Sequence, residues 1–559
     1  MKDYLNSDEI QLKNYLFFEK INSKNTTIKN QKTTFNKLFF WFFIFLIFLI
    51  SFVVVRWTPA KYGFNLFFEN IKNFFNPVVK SEYIKDSNLF AISFYLLFQT
   101  VNYSLLGLLI GGGLAFLTSY LFAFQFKNKW IYSISKIFFT ILRILPEIIF
   151  IYYFSNSFSK KMSVVMIFAL FNWVWLHEYF TQMFENANYT FYFHLLKNSC
   201  SKFKAFQTEI LPQIKIKILN LLLYTFESNI RWSVIISKLG FLGIGTLLNS
   251  PTINISYFRE LLIPLFVLVF FLVIIEFSFN LIKKYIYETK TTINERKHFK
   301  QKIYKRLFNW LIFIFLVSFI IFNIIYLKDI KFYPSNSTEY FKDFFNPNFR
   351  EINNNWGKNT FYILELLLLI FTCNFLVFAF TYISLFLLNK KMNSKYYSAF
   401  VRIANVIFRN VPIIILFLFI SPIFKNPQVA FIIGFAIHST FIINKNMDEY
   451  INYDGYKKNI ELLHSYGISK WKIYKTYLRP KINSNFITFF TFEIEKNTRN
   501  FINYGIFTSS TIGLKTTITN GREYIDIVPY LWISIAIIFI VYTSGYLLER
   551  KLIKTKISL

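Results

Sequence analysis

The chain is constrained first by a succession of long apolar runs that carry almost no charge. Leu38–Val55 and Leu531–Tyr542 contain none. Such runs approach the roughly 20 residues that a helix needs to cross a hydrocarbon layer. Composition agrees, with 54% hydrophobic residues and 75 Phe in 559. We read the chain as an all-α polytopic membrane protein rather than a soluble one with large cores.

The formal charge is +32. A basic excess of this size can mark nucleic-acid binding. Here the cations sit between the apolar runs, where they set membrane topology instead, so no nucleic acid is expected and the lipid bilayer is the partner. Cys200 and Cys373 have no CxxC neighbour, so neither a disulfide framework nor a metal site is expected. The first apolar run follows a 37-residue, mainly polar tail and reads as a retained anchor, not a cleaved signal.

Twelve spans are expected, six in each half. They lie near 38–55, 92–124, 134–154, 162–180, 214–239 and 261–282, then near 308–327, 360–388, 397–424, 427–443, 483–506 and 527–547. The division is a tail at 1–37, a first repeat at 38–290, a basic linker at 291–306 and a second repeat at 307–559. The tail (Lys2, Lys13, Lys20), the linker region (Lys283, Lys284, Lys290, Arg296) and the end (Arg550, Lys551) are rich in cations. By the positive-inside rule all three are cytoplasmic, which six spans per half permits. Loops near 57–90 and 328–358 then face outward. They share Lys72-Asn-Phe-Phe-Asn-Pro77 and Lys342-Asp-Phe-Phe-Asn-Pro347, where Asn-Pro marks a chain turn. An interfacial segment with its Phe residues at headgroup depth is favoured there over a platform for an external partner.

Two spans carry polar groups. Glu227, Asn229 and Arg231 recur as Glu495, Asn497 and Arg499 at a constant offset of 268. The repeat is therefore parallel, because an even number of spans precedes the second copy; this argues against an inverted repeat. Each Glu lies four residues before its Arg, on one helix face, and can pair with it. The groups either line a solute pathway or form a neutral interhelical network, and the network is the favoured reading.

Before each of these spans lies a basic loop. In the second half it reads ELLHSYGISKWKIYKTYLRP, from Glu461 through Gly467 to Pro480. In the first it reads FHLLKNSCSKFKAFQTEILP, with Leu195, Ser199, Leu211 and Pro212, at the same offset. A short helix, a Gly turn and a second helix stopped by Pro make a compact lever. The spacing resembles the EAA loop of ATP-binding-cassette (ABC) importer permeases. Phe193 and Ser199 depart from it where that pattern has Glu and Gly. The stretch Phe226-Glu-Ser-Asn-Ile-Arg231, followed by Gly240 to Gly245, is similar to that of phosphonate-type permeases, and the second copy keeps Glu495, Asn497, Arg499, Ile512 and Gly513 of it. Arg143-Ile-Leu-Pro146-Glu147 in the third span also resembles that family, with Arg409-Asn-Val-Pro412 as its partner lacking the Glu, and in each a Pro kinks the helix.

The resemblance covers residues 90–282 and 360–550 and implies two permease units fused in one chain, as in mycoplasma-like bacteria. It further implies a plasma-membrane importer subunit, with a cytoplasmic ABC ATPase dimer docked on the two loops and an extracellular substrate-binding (lipo)protein outside. The solute it implies is phosphonate, a related phosphorus oxyanion, or a phosphorylated vitamin such as thiamine pyrophosphate. The chain has no phosphate-binding Gly-x4-Gly-Lys-Ser/Thr loop and no nucleophile–base motif, so no catalytic residue and no cofactor is expected and ATP hydrolysis falls to a separate subunit. A twelve-helix secondary transporter or channel is the alternative, and a membrane-embedded enzyme a weaker one.

Overall fold

The computed structural model describes residues 20–23, 26–29, 34–85, 87–122, 129–238, 240–282, 295–326, 330–452, 454–505, 511–516 and 524–557. The cations Lys2, Lys13, Lys283, Lys284 and Lys290 lie outside them.

Each expected span coincides with helix. The first repeat contributes α1 (Thr34–Val55), α2 (Gly63–Phe74), α3 (Leu89–Phe122), α4 (Lys129–Ile144), α5 (Glu147–Ser157), α6 (Lys160–Glu185), α7 (Thr190–Lys197), α8 (Lys202–Ala205), α9 (Leu211–Lys238), α10 (Ile244–Leu248) and α11 (Leu262–Ile282). The second contributes α12 (Glu295–Tyr326), α13 (Pro334–Phe345), α14 (Arg350–Asn354), α15 (Trp356–Leu388), α16 (Lys395–Asn410), α17 (Ile413–Ile420), α18 (Pro427–Ile451), α19 (Lys457–Ser465), α20 (Lys470–Ile473), α21 (Arg479–Asn503), α22 (Thr511–Lys515) and α23 (Tyr524–Ile557). Two small antiparallel pairs, Lys20–Ser23 with Thr26–Lys29 and Lys80–Ser81 with Ser87–Asn88, are the strands among the described residues.

Among the described residues, seven helices are long and apolar enough to cross a membrane alone, and up to nine if each bent pair is one span. The difference from twelve has a physical cause. In α9 and α21 the Glu-x-Asn-x-Arg groups and their neighbours lower the apolarity, yet Glu227, Asn229, Arg231, Glu495, Asn497 and Arg499 are all buried against protein. A polar group at membrane depth is tolerated where it is packed inside rather than facing lipid. In α1 the apolar stretch Phe42–Val55 is too short to count as a span on its own.

The third span of each half is broken, more sharply than a kink. α4 and α5 meet at 84°, and the pair formed by Tyr396–Asn410 and Ile413–Ile423 at 93°. Pro146 and Pro412 sit in extended backbone (ψ 140° and 144°) and start the next helix. A Pro cannot donate the helical hydrogen bond but suits a helix start, so the chain turns and begins again. Most of the expected 291–306 linker is absorbed into α12, whose stretch from Glu295 has neither Pro nor Gly.

The two repeats interlock. Helix α1 lies against α15, with Phe48 and Phe375 ring centroids 4.7 Å apart. In the reciprocal place, the Asn323 amide of α12 donates to Asn102 Oδ1 of α3 at 3.0 Å. Phe74 of α2 packs edge-on against Phe419 of α17 at 5.1 Å. Tyr340 of α13 donates to the Ile149 carbonyl of α5 at 2.6 Å. The expected turns after the Lys-x-Phe-Phe stretches follow directly, since α2 ends at Phe74 and α13 at Phe345.

Centre and periphery differ. Of the most apolar 18-residue window within Pro427–Asp448 of α18, 78% is buried; of Arg306–Asn323 in α12, 6%. Helix α12 therefore turns its Phe, Ile and Leu side chains outward, as a lipid-facing helix does. Helices α3 and α6 pack closely because Gly111 has no side chain: a Cβ there would run into the Ala169 carbonyl and the Asn172 Cβ. Small residues at such crossings let backbones approach.

Candidate functional site

The two basic loops share one local fold. Helix α7 ends with Ser199 in the left-handed region (φ 61°), and α19 ends with Gly467 at φ 76°. Ser199 N–H donates to the Leu196 carbonyl and Cys200 N–H to the Leu195 carbonyl, at 3.2 and 3.1 Å. Gly467 and Ile468 repeat this with His464 and Leu463, at 3.0 and 3.3 Å. Each is a Schellman cap, which satisfies two orphan carbonyls at a helix end. The first loop keeps the shape without the Gly, at the cost of a strained Ser.

The second helix of each loop is not stopped by Pro, contrary to the sequence expectation. It runs on through one π-turn, Phe206–Ile210 or Tyr474–Leu478, into α9 or α21. Leu211 N–H reaches the Phe206 carbonyl and Arg479 N–H the Tyr474 carbonyl, each five residues back. Pro212 and Pro480, both exposed, follow in the first turn of the long helix, where a missing N–H is tolerated. The second helix of each loop and the polar span are thus one continuous rod. Glu461, at the start of the second loop motif, is exposed and lies 3.9 Å from Lys457.

About 22 Å along that rod from Pro212, at 1.5 Å per residue, lies Glu227. It belongs to a cluster drawn from both halves. Arg409 of α16 donates to Glu276 of α11 at 2.7 Å and lies 3.7 Å from Glu227. Arg231 is 3.9 Å from Glu227 and donates to Asn410 at 3.1 Å. Lys445 of α18 stands 3.8 Å from Glu227 and 3.4 Å from Glu276.

The second cluster is the reciprocal one and is tighter. Glu495 accepts from Arg499 at 2.8 Å and from Arg143 of α4 at 3.0 Å. Arg499 lies 3.3 Å from Glu147, which also accepts from Asn503 at 2.7 Å. Both guanidiniums face the Trp175 ring, at 5.0 Å for Arg143 and 4.5 Å for Arg499; such contacts gain strength when desolvated. Each polar span is therefore clamped by the third-span Arg of the opposite half. The two Asn residues serve packing: Asn229 donates to Asn172 at 3.1 Å, and Asn497 donates to Asn374 at 3.1 Å and accepts from Ser439 at 3.0 Å.

A cavity of about 1000 Å³ connects these clusters. Its lining includes Arg143, Glu147, Glu227, Asn229, Glu276, Lys445 and Glu495, from both halves. Arg231, Asn497 and Arg499 stand behind that wall. Exposure grows along α9 from buried Glu227 to exposed Lys217, and along α21 from Glu495 to Thr488. The cavity thus opens toward the face that carries the two loops, and the ionic clusters lie deeper in its wall.

Comparison with known sequences decides the class. The family model "Binding-protein-dependent transport system inner membrane component" matches residues 113–292 and again 383–554. The chain belongs to this family. It holds two permease units, and the ABC permease architecture of polytopic helices follows. It is similar to "ABC transport system permease protein p69" of Mycoplasma genitalium, 27% identical over 535 residues, covering 90% of this chain and 94% of that one. It is also similar to the protein of the same name from Mycoplasma pneumoniae, 26% identical over 457 residues, covering 81% and 82%. No solved structure matches.

For this permease the sequence had named both Glu-x-Asn-x-Arg sets and both third-span Arg residues, but not that they meet. It also missed Glu276, Lys445 and Trp175. Glu276 was legible in principle, as a lone carboxylate in the apolar run of α11.

Proposed function

We propose that this permease forms the solute pathway of an ATP-driven importer in the plasma membrane, with both termini cytoplasmic. Its solute in this reading is phosphonate, a related phosphorus oxyanion, or a phosphorylated vitamin such as thiamine pyrophosphate. A separate ATPase dimer docks on the loops at 193–212 and 461–480, and a substrate-binding lipoprotein delivers solute to the outer face. The observation that carries the reading is the continuity of each loop with the helix bearing Glu227 or Glu495.

A push on a loop moves its polar span as a rigid body, because helix and π-turn leave no joint between them. Each span is clamped to the other half, at Arg409–Glu227 or Arg143–Glu495, so moving one half strains the ionic contacts with its partner. Closing the ATPase subunits therefore rocks the halves and switches the cavity between faces. The unequal loops, one strained at Ser199 and one relaxed at Gly467, couple unequally.

The test is ATP-dependent uptake by the reconstituted complex, with Arg231→Gln plus Arg499→Gln as the diagnostic pair. In the oxyanion reading with direct contact, affinity for the anion falls. Uptake selectivity and affinity left intact while stability falls assign these two Arg residues to the network alone. Ion-driven transport by the chain without any ATPase sinks the importer reading.

A further inference from the structure

The two ionic clusters occupy equivalent places but differ in charge. Asn172 and Ser439 bind the two matched Asn residues, Asn229 and Asn497, which sets the register of α6 against α18 at 267. In that register Lys445 of α18 corresponds to Glu178 of α6, and both line the cavity. Opposite Arg409 stands Glu276, where Arg143 meets the Tyr542 ring at 5.4 Å. The second cluster pairs two acids, Glu147 and Glu495, with two guanidiniums. The first sets Glu227 and Glu276 against three cations, Arg231, Arg409 and Lys445.

Both clusters leave guanidinium donors unpartnered, at Arg143 Nε and at Arg499 Nε and Nη2 in the second, but the first also leaves a carboxylate without a hydrogen bond. Arg409 is buried to 1% exposure, and its Nε and Nη1 have no hydrogen-bond partner. Glu227 is buried to 1%; three cations crowd it at 3.7–3.9 Å, but neither of its oxygens accepts a hydrogen bond. Buried charged groups without hydrogen bonds are costly and call for a partner. Lys445 is partly open to the cavity, with 34% of its side chain exposed, held by Glu276 at 3.4 Å.

We propose that Lys445, backed by Arg409, is an oxyanion-contacting subsite of the cavity, self-occluded by Glu276. A phosphoryl or carboxylate group entering the cavity takes the place of the Glu276 carboxylate beside Lys445, and accepts from the Arg409 Nη2 that Glu276 now holds at 2.7 Å. An ammonium head is suited to this role because it meets an oxyanion as a compact charge without fixed orientation. The subsite rests on the reading of the cavity as the solute pathway. It also makes the pathway one-sided: the solute's anionic group lies toward the second half, while Glu178 faces it from the first.

The experiment is charge-selective thiol labelling of the purified full chain. Ser228→Cys, in a Cys200→Ser background, places a thiol beside Glu227 on the cavity lining; Cys373 is buried. Its labelling rate is measured with an anionic sulfonatoethyl and a cationic trimethylammonium-ethyl methanethiosulfonate, relative to their rates with a free thiol. A local cation raises anion encounter by tenfold or more in a low-dielectric cleft. Adding Lys445→Gln should lower the anionic-to-cationic ratio by about tenfold. Adding Glu276→Gln, which removes the internal competitor, should raise it. Inorganic phosphate should slow labelling in the Lys445 form but not in Lys445→Gln.

A ratio unmoved by Lys445→Gln overturns the subsite. Should that variant not fold, Glu276→Gln decides alone, and no rise overturns it. The labelling needs no ATPase, so the two failures separate. Ratios that shift in a complex that imports no phosphorus oxyanion keep the subsite and remove the solute assignment. Oxyanion uptake with unmoved ratios does the reverse.

Discussion

Glu495→Gln is the sharpest perturbation of the clamp between halves. The carboxylate accepts from Arg499 at 2.8 Å and Arg143 at 3.0 Å. At an effective dielectric near 20, each contact is worth roughly 5–6 kcal/mol of attraction. Desolvation of the ions offsets most of this, and removing one partner of a buried pair costs about 3–5 kcal/mol, because the remaining charge is stranded. Arg499 keeps Glu147 at 3.3 Å, so the stranded charge is chiefly Arg143, left with the Trp175 and Tyr542 rings. Arg143→Gln alone should cost less, about 1.5–3 kcal/mol, since Glu495 keeps Arg499. The double variant should cost about as much as Glu495→Gln alone. The cycle then returns a coupling of about 1.5–3 kcal/mol between residues 352 positions apart. Equilibrium unfolding of the purified chain in mixed micelles measures all four proteins. Costs that add to within about 0.5 kcal/mol, or a single-site cost of Glu495→Gln below about 1 kcal/mol, refute the reasoning that these charges hold the halves together.

Other expectations follow from single positions. Ser199→Gly should relieve left-handed strain of about 1 kcal/mol, seen as slower amide exchange at Leu195–Lys202, whereas Gly467→Ala should speed exchange in the second loop. Gly111→Ala should destabilise by about 1–3 kcal/mol, read as a lower midpoint in the same micelle titration; an unchanged midpoint means α3 and α6 are looser than described. Pro212→Ala with Pro480→Ala should leave the midpoint within about 1 kcal/mol but reduce ATP-driven uptake, because the restored N–H lets the π-turn relax and rotates each loop against its span; full uptake argues against the rigid-rod coupling.

Much of this permease was legible in one dimension. The apolar runs dictated membrane helices, since lipid offers the backbone no other partner. The constant offset between Glu227-x-Asn-x-Arg231 and Glu495-x-Asn-x-Arg499 showed a parallel duplication, and the i,i+4 spacing placed each Glu beside its Arg. The pairing proved close at Arg499 and loose at Arg231. Loop geometry was half legible. Gly467 signalled a left-handed cap, but Ser199 adopts it too because the hydrogen bonds of the cap outweigh a modest steric cost. The Pro residues were read as stops because a missing donor usually ends a helix, whereas one π-turn absorbs each.

What only the tertiary structure decided is partnership across the repeat. Local sequence reports which side chains share a helix face, because that follows from 3.6 residues per turn. It does not report which helix arrives from the other half. The interlocking of α1 with α15 and α12 with α3 brings Arg409 to Glu227 and Arg143 to Glu495, and it leaves a cavity between them. In the sequence Lys445 lies just past the expected span at 427–443. It became a candidate contact when the fold set it in the cavity wall beside Glu276, at a place where the first half carries Glu178.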